Sequence, residues 1–327
     1  MKNNVVELAF AADNNYFIPF FVSVLSVFVS CHKETTYNVH LLFSGELTDD
    51  NCKLLNYLRS RYNTHRIFLH HIEDDFHDAK LFIRHITSAT FYRLKLPTIL
   101  SNCEKVLYLD VDIIVCKDLT ELYGIDLNNN YCAGVRAAAY LRSPTSVNRT
   151  INLLKIDKLD RYINAGVILI NLKKMREDKL ESCFMRLLKN DYPSQDQDII
   201  NKACYPKIII LPFKYNVMTK YRPASRKSYF NIGGVANAYS FGEWQEARIA
   251  PVIIHYADKK KPWNDLNTDY SILWWSVLSK TPFFTHVYKK YRPKFHFVHG
   301  IKQTNIFSFV SVKIKIFYLR VKSFVKY

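Results

Sequence analysis

An α/β fold built on a mainly parallel sheet is predicted by three features of the sequence. Strand-like apolar segments alternate with helical ones from Val5 to His71, the pattern of successive β-α-β units. A nearly unbroken apolar run, Lys105 to Lys117 (KVLYLDVDIIVCK), has the character of a strand buried on both faces. No internal repeat, low-complexity tract or Gly/Ser linker interrupts the 327 residues, of which only 8 are Gly, so the length suits one large domain with an appendage.

Val5 to Phe10 (VVELAF) is the first strand. It runs through a polar loop, Ala11-Ala12-Asp13-Asn14-Asn15-Tyr16, into an apolar helix from Phe17. Strand, loop and helix in that order open a nucleotide-binding α/β fold, but the loop has no Gly-x-Gly-x-x-Gly and so is not a dinucleotide or P-loop cradle. Asp13 and Asn15 could contact a base or ribose edge, or simply cap the helix. Tyr37 to Phe43 is the second strand, Thr48 to Arg61 a helix capped by Thr48, and Arg66 to His71 the third strand. A helical segment from Ser88 to Leu96 carries Arg93 and Lys95 and is expected to end at Pro97.

The Lys105 to Lys117 run is interrupted only by Asp110 and Asp112. Carboxylates two residues apart in an extended segment point the same way, and in apolar surroundings they would repel one another. A divalent cation removes that difficulty; solvated turn aspartates closing the strand are the alternative. Strands are expected at Asn130 to Arg136, Tyr162 to Asn171, Lys207 to Leu211 and Pro251 to His255. Asn164, followed by the small pair Ala165 and Gly166, lies at the mouth of one of them, where a ligand can approach the backbone. Asp196 and Asp198 open a helix with Ser194 as its candidate cap, a placement that helix-dipole chemistry alone also explains. His255 ends the last strand, ahead of Lys259-Lys260-Lys261-Pro262-Trp263, a segment suited to a polyphosphate carrying a metal.

Charge is unevenly distributed. Residues 1–200 hold 24 Lys/Arg and 24 Asp/Glu, residues 201–327 hold 22 and 5, and no acidic side chain follows Asp269. A basic, aromatic end section predicts attachment to something anionic. From Val310 to Phe324 apolar residues recur at helical spacing among Lys313, Lys315, Arg320, Lys322 and Lys326, which predicts a basic amphipathic helix on a membrane surface or one packed on the preceding domain. A nucleic-acid-binding role would need a helix-turn-helix, zinc-finger or RNA-recognition signature, and none is present. The seven cysteines lack C-x-x-C spacing. Their odd number, with no basic stretch leading into an apolar one over the first ten residues, predicts free thiols in a reducing cytoplasm.

Taken in order from Val5 to Trp263, the stretches FAADNNY, IRHIT, FYRLKL, KVLYLDVD, INAGVILINL, QDQDIIN and H-Y-x(4)-K-P-W resemble the retaining glycosyltransferases of family 8. The similarity is strongest to the bacterial galactosyl- and glucosyltransferases of lipopolysaccharide and lipooligosaccharide synthesis. That resemblance implies a GT-A type, Rossmann-like nucleotide-binding domain with a mainly parallel mixed sheet over residues 1–265, and a basic C-terminal helical tail over 266–327. It implies Ala11, Asp13, Asn15 and Tyr16 at uracil and ribose, His85 and Arg93 near the diphosphate and donor, and Lys261 on the diphosphate. Asp110, Asp112 and His255 would bind Mn2+, with Mg2+ as the alternative, and Asn164, Asp196 and Gln197 would line the donor sugar and its anomeric carbon. The expected substrates are UDP-galactose or UDP-glucose and a glycolipid acceptor. The expected location is the inner face of the bacterial cytoplasmic membrane, with no nucleic acid and no obligate protein partner. Two departures stand out: Asp258 where relatives often have Gly, and Ala137 in a stretch where they often place an Asp. They leave a catalytically silent sugar-nucleotide or glycan binder as the competing expectation.

Overall fold

The computed structural model describes residues 4–73, 76, 88–137, 144–157, 159–219 and 239–294. His85 and the helix expected from Val310 lie outside them. The chain divides into two compact units, the first ending at Ala257 and the second beginning at Asp258.

In the first unit, β1 (Asn4–Ala11) leads through the Ala12 to Tyr16 loop into α1 (Phe17–Ser30). Twelve residues of α1 are buried, so the helix is apolar all round because it is covered all round. Pro19 falls in its first turn, where a missing N–H is tolerated. β2 (Thr35–Phe43), α2 (Asp49–Arg61) and β3 (Arg66–His71) complete the opening alternation. Thr48 caps α2 by accepting from the Asn51 N–H, as expected.

The segment expected to stop at Pro97 does not stop there. It consists of α3 (Ala89–Tyr92), a 3-10 turn (Arg93–Lys95) and α4 (Leu96–Ile99), with Pro97 in the first turn of α4. A proline is favoured at that position because its φ is already helical.

The Lys105 to Lys117 run is likewise two elements. β4 (Lys105–Leu109) lies in the large sheet, and β5 (Ile113–Val115) belongs to a second, three-stranded sheet. The break falls at Asp110-Val111-Asp112. There follow α5 (Thr120–Tyr123), β6 (Cys132–Arg136), α6 (Pro144–Leu154), β7 (Ile163–Asn171), α7 (Leu172–Glu177), α8 (Leu180–Leu187) and α9 (Asp196–Cys204). β8 (Ile208–Ile210), β9 (Val217–Met218), α10 (Phe241–Ile249) and β10 (Ile253–His255) end the unit.

The large sheet has the order β3-β2-β1-β4-β7-β6-β8. β3, β2, β1 and β4 are mutually parallel, β7 runs antiparallel to both β4 and β6, and β8 pairs parallel with β6. In the small sheet β10 lies between β5, antiparallel, and β9, parallel.

β1 and β4 are neighbours with Ala9 opposite Tyr108. Carrying that register two residues on brings Ala11 level with Asp110, so the first loop and the aspartates leave the sheet together at its carboxyl edge. That edge is where open α/β sheets bind ligands. Two serines of α1 fasten the aspartate turn from behind. The fully buried Ser23 hydroxyl lies 2.6 Å from the Val111 carbonyl and 2.9 Å from that of Ile113. Ser26, also fully buried, accepts from the Val115 N–H at 2.9 Å and donates to the Ser23 carbonyl at 2.6 Å.

The second unit contains α11 (Ser271–Leu278) and α12 (Phe284–Tyr291). Trp274, fully buried, packs against Trp263 and Trp275 with centroids 5.5 and 4.9 Å away, and Trp275 meets Phe284 and Tyr288 edge-on. The Trp275 indole donates to the Pro262 carbonyl at 2.8 Å. The Lys-Pro-Trp segment is thus held by its own aromatic core. Among the described residues no helix is long and apolar enough to cross a membrane.

Candidate active site

Asp110 follows β4, Asp112 precedes β5, and His255 ends β10. The small sheet pairs His255 with Ile113, and the Tyr256 N–H donates to the Asp112 carbonyl at 2.9 Å, which sets imidazole and aspartates side by side. The His255 Nε2 lies 3.3 Å from Asp112 Oδ1 and 3.7 Å from Asp110 Oδ2. One ligand atom from each residue falls within 4.8 Å of the other two.

The protonation of that ring is fixed by Asn216, which is fully buried. Its Nδ2 donates to Asn164 Oδ1 at 2.8 Å, so its Oδ1 faces His255 Nδ1 at 3.0 Å and accepts the ring N–H. The Nε2 lone pair is then turned toward two carboxylates. A lone pair and two anionic oxygens aimed at one point repel one another unless a cation lies between them, so the residues fit a divalent metal. A mixed nitrogen and oxygen set suits Mn2+ better than the all-oxygen preference of Mg2+.

Gly166 makes the convergence possible. Its N–H donates to Asn164 Oδ1 at 3.1 Å, and the Asp110 N–H donates to its carbonyl at 2.8 Å. A Cβ at this position would lie 2.3 Å from His255 Cε1 and 2.6 Å from Asp110 Oδ2. A ligand was expected to approach the backbone at Ala165-Gly166; the groups that approach Gly166 are the His255 imidazole and the Asp110 carboxylate.

Arg93 is buried beneath the aspartates. Its Nη2 donates to Asp110 Oδ1 at 2.9 Å, its Nη1 to the Ala165 carbonyl at 2.6 Å, and its Nε lies 3.0 Å from Asp196 Oδ2. Its guanidinium sits 4.2 Å from the Tyr108 ring centroid. Burial works against its charge, but Asp110 and Asp196 hold it protonated, with a pKa above the ordinary value. Burial pushes the Asp196 carboxyl up, against the pull of Arg93 and of the Thr90 hydroxyl, which donates to it at 2.7 Å.

A hydrogen-bonded chain carries this geometry to the other predicted residues. The Asn164 Nδ2 and the Ala165 N–H both donate to Gln197 Oε1, at 3.1 and 3.2 Å. The Gln197 amide donates to the Tyr162 hydroxyl at 3.0 Å, and Tyr162 donates to Asp198 Oδ1 at 2.6 Å. Ser194, expected as the cap of α9, does not cap it. Its backbone N–H donates to Asp198 Oδ2 at 2.9 Å, and Gln195 takes the cap position without a side-chain bond.

In the first loop, Asp13 Oδ1 accepts the N–H groups of Asn15 and Tyr16, each at 2.9 Å, closing the turn ahead of α1. Asn14, which was not singled out from the sequence, donates to the Glu46 carbonyl and accepts from Asn51 at 2.8 Å, tying the loop to α2. Ala11 is buried and Asn15 exposed. Lys261 and Asp258 belong to the second unit, where the Lys261 carbonyl accepts the N–H groups of Asn264 and Asp265. Ala137 is buried, its N–H donating to the Tyr162 carbonyl.

Sequence reasoning also missed Asn216 and Gln195. Gln195 is 2% exposed at φ +53°, and among the described residues neither polar atom of its side-chain amide has a hydrogen-bond partner. An unpaired buried amide costs about 1–3 kcal/mol, and a non-glycine residue at positive φ adds strain. Its place within Q-D-Q-D was the one signal that could have marked it.

A sequence profile described as Glycosyl transferase family 8 matches residues 7–267, a span that contains Asp110, Asp112, His255 and the hydrogen-bonded chain behind them. The chain belongs to glycosyl transferase family 8. It is 30% identical over 218 residues to a putative glycosyltransferase of Haemophilus influenzae, a match spanning 65% of this chain and 64% of that one, just under two thirds of the relative's length. It is 25% identical to a lipopolysaccharide 1,2-glucosyltransferase of Escherichia coli over 88% of this chain and 79% of the other. The solved structure of the galactosyltransferase LgtC with donor and acceptor sugar analogs has a TM-score of 0.68 and 28% identity, covering 85% of this chain and 96% of LgtC. The fold of this family 8 chain is of the GT-A type, as its mixed, mostly parallel sheet and its structural neighbours show.

Proposed function

We propose that this family 8 chain transfers a hexose from a UDP-sugar to a glycan acceptor with retention of anomeric configuration. The observation that carries the reading is the convergence of Asp110, Asp112 and the oriented His255 at the carboxyl edge where the Ala11 to Tyr16 loop also emerges. The lipopolysaccharide glucosyltransferase and the LgtC galactosyltransferase among the relatives support UDP-glucose or UDP-galactose as donor and a lipopolysaccharide-type glycolipid as acceptor.

In this reading Ala11, Asp13, Asn15 and Tyr16 hold uridine, and Asp13 keeps its second carboxylate oxygen for the nucleoside. Asp110, Asp112 and His255 hold Mn2+, whose positive charge, when bound, offsets the charge developing on departing UDP. In the same reading, Lys261 and His85, the latter outside the described residues, add to that countercharge. Arg93 acts as a positioning residue, holding Asp110 and Asp196 in place. Asn164, Asp196 and Gln197 orient the donor sugar, and Gln195 supplies its free amide to a sugar hydroxyl. The bond from the anomeric carbon to the β-phosphate oxygen breaks, the acceptor oxygen bonds to that carbon while its proton passes to the departing UDP, and no side chain is assigned as nucleophile. Residues 1–265 carry this chemistry, and the basic residues 266–327 seat the protein on the inner membrane face.

Release of UDP from a panel of UDP-sugars, with Mn2+ and with chelator, tests the reading without an identified acceptor. One UDP-hexose is expected to give chelator-sensitive release, which Asp112→Ala abolishes while leaving the far-ultraviolet circular dichroism unchanged. UDP binding without release from any sugar, even with glycolipid present, would favour a silent binder and direct attention to Asp258 and Ala137.

A further inference from the structure

A second group of metal-ligating side chains lies at the middle of β1. Glu7 is four residues before Ala11 on the same face of the strand, about 13 Å from the catalytic edge at the usual strand rise. His40 comes from β2 and Cys103 from the turn ahead of β4. A carboxylate oxygen, a ring nitrogen and the sulfur of these three residues all lie within 4.8 Å of one another.

The outer atoms of the group are already held. Glu7 Oε1 accepts from Asn38 Nδ2 at 2.8 Å, and His40 Nδ1 lies 2.9 Å from His70 Nε2. The His40 ring, 7% exposed, is stacked on Phe68 with centroids 5.1 Å apart. Those contacts leave Glu7 Oε2 and His40 Nε2 facing each other at 2.9 Å with Cys103 beside them. Metal ligands are oriented in the same way, by partners on the atom that does not bind. Two like lone pairs at 2.9 Å need a positive centre between them, which is a proton in the free protein.

We propose that Glu7, His40 and Cys103 form a zinc site, distinct from the catalytic Asp110, Asp112 and His255. Tetrahedral bond lengths to zinc place such ligand atoms about 3.3–3.6 Å apart, so the cluster closes on the ion by small side-chain adjustments. A thiolate beside an imidazole selects Zn2+ over the harder Mn2+. Binding releases the proton shared by Glu7 and His40 and the thiol proton of Cys103, leaving a thiolate, a neutral imidazole and a carboxylate on the metal with water in the fourth position. Burial, reinforced by the charge of Glu7, raises the Cys103 thiol above its ordinary pKa, so without the ion it remains protonated. The bound ion joins β1, β2 and the approach to β4, the strands whose far ends carry the nucleotide loop and the aspartates.

Cobalt reports on this site separately from the catalytic one, because only a sulfur ligand gives a thiolate-to-cobalt charge-transfer band. Full-length protein stripped with chelator is titrated with Co2+ and then Zn2+. One equivalent of Co2+ should produce the band and Zn2+ should bleach it. Asp112→Asn should retain it and Cys103→Ser should lose it. Zinc should also slow alkylation of Cys103 by at least tenfold relative to the other six cysteines, as read by peptide mass spectrometry. Absence of the band in the folded wild-type protein, its persistence in Cys103→Ser, or equal protection of all cysteines would overturn the assignment. Because the wild-type protein supplies the primary reading, failure of a variant to fold does not affect the outcome.

Discussion

At the scale of single residues, the site depends on side chains that never meet a ligand. Asn216 fixes which nitrogen of His255 is protonated, and a neutral imidazole with the wrong nitrogen free cannot ligate. Asn216→Leu keeps the branched heavy-atom shape and removes both hydrogen bonds, to His255 and to Asn164. Loss of such a partner typically lowers metal affinity ten- to a hundredfold, and Mn2+ titration of the protein without donor, followed by calorimetry or electron paramagnetic resonance, should show a weakening of about that size. Unchanged affinity would mean that packing alone orients the ring. Gly166→Ala tests the same centre from the β7 side. Its methyl would press on His255 and Asp110, so Mn2+ affinity should fall at least about tenfold and stability by about 1–3 kcal/mol, the usual range for overpacking. Retained affinity with normal stability would show that the cluster yields without loss. Asp110, Asp112 and His255 were legible because charge in an apolar strand is unusual. Asn216 was not, since it follows the 3-10 turn Phe213–Tyr215, where spacing carries no information.

At the scale of elements, the strand at the centre of the site is two strands in two sheets, and periodicity could not show it. A segment buried on both faces has no alternation to lose, so K-V-L-Y-L-D-V-D-I-I-V-C-K looks continuous although hydrogen bonding changes partner between Leu109 and Ile113. The change is enforced from α1, whose buried serines take up backbone groups that neither sheet uses. Ser26→Ala removes the acceptor of the Val115 N–H, leaving a buried donor unpaired at a cost of about 1–3 kcal/mol. The urea midpoint should drop accordingly with an unchanged slope, whereas Ser30→Ala, which loses a longer bond to the Val115 carbonyl in a part-buried position, should cost less. Equal small effects would place the hold on β5 elsewhere. The serines were visible in the sequence but silent, because a hydroxyl in an apolar helix more often bonds to its own preceding turn. The alternation of strands and helices to His71, by contrast, was readable because Thr48 capping, apolar period and length all agreed.

At the scale of the whole molecule, charge is unevenly distributed along the chain. The neutral first 200 residues supply the aspartates, Arg93 and the α9 network, while the excess of 17 positive charges falls in the remainder. Family membership was legible because seven short stretches recur in order across four fifths of the chain, a signal that no single stretch carries. The tail gave only composition and a helical period, which predict a surface without naming it. An anionic membrane contributes about 1 kcal/mol per Lys or Arg held near it, and Lys313, Lys315, Arg320, Lys322 and Lys326 together would then change partitioning by at least about a hundredfold. Deleting the residues after 305 should therefore reduce binding to vesicles containing anionic lipid by that factor. It should leave chelator-sensitive UDP release from the donor within about twofold, since the proposed metal ligands and sugar-binding residues all precede the cut. Raising the salt concentration should weaken vesicle binding of the full chain, because screening acts on surface charge, and should act less on the truncated protein, which lacks Lys313, Lys315, Arg320, Lys322 and Lys326. Vesicle binding that survives the deletion would move the membrane contact to the basic residues before 305; loss of UDP release along with it would mean that the tail supports the catalytic unit and that its charges serve the fold.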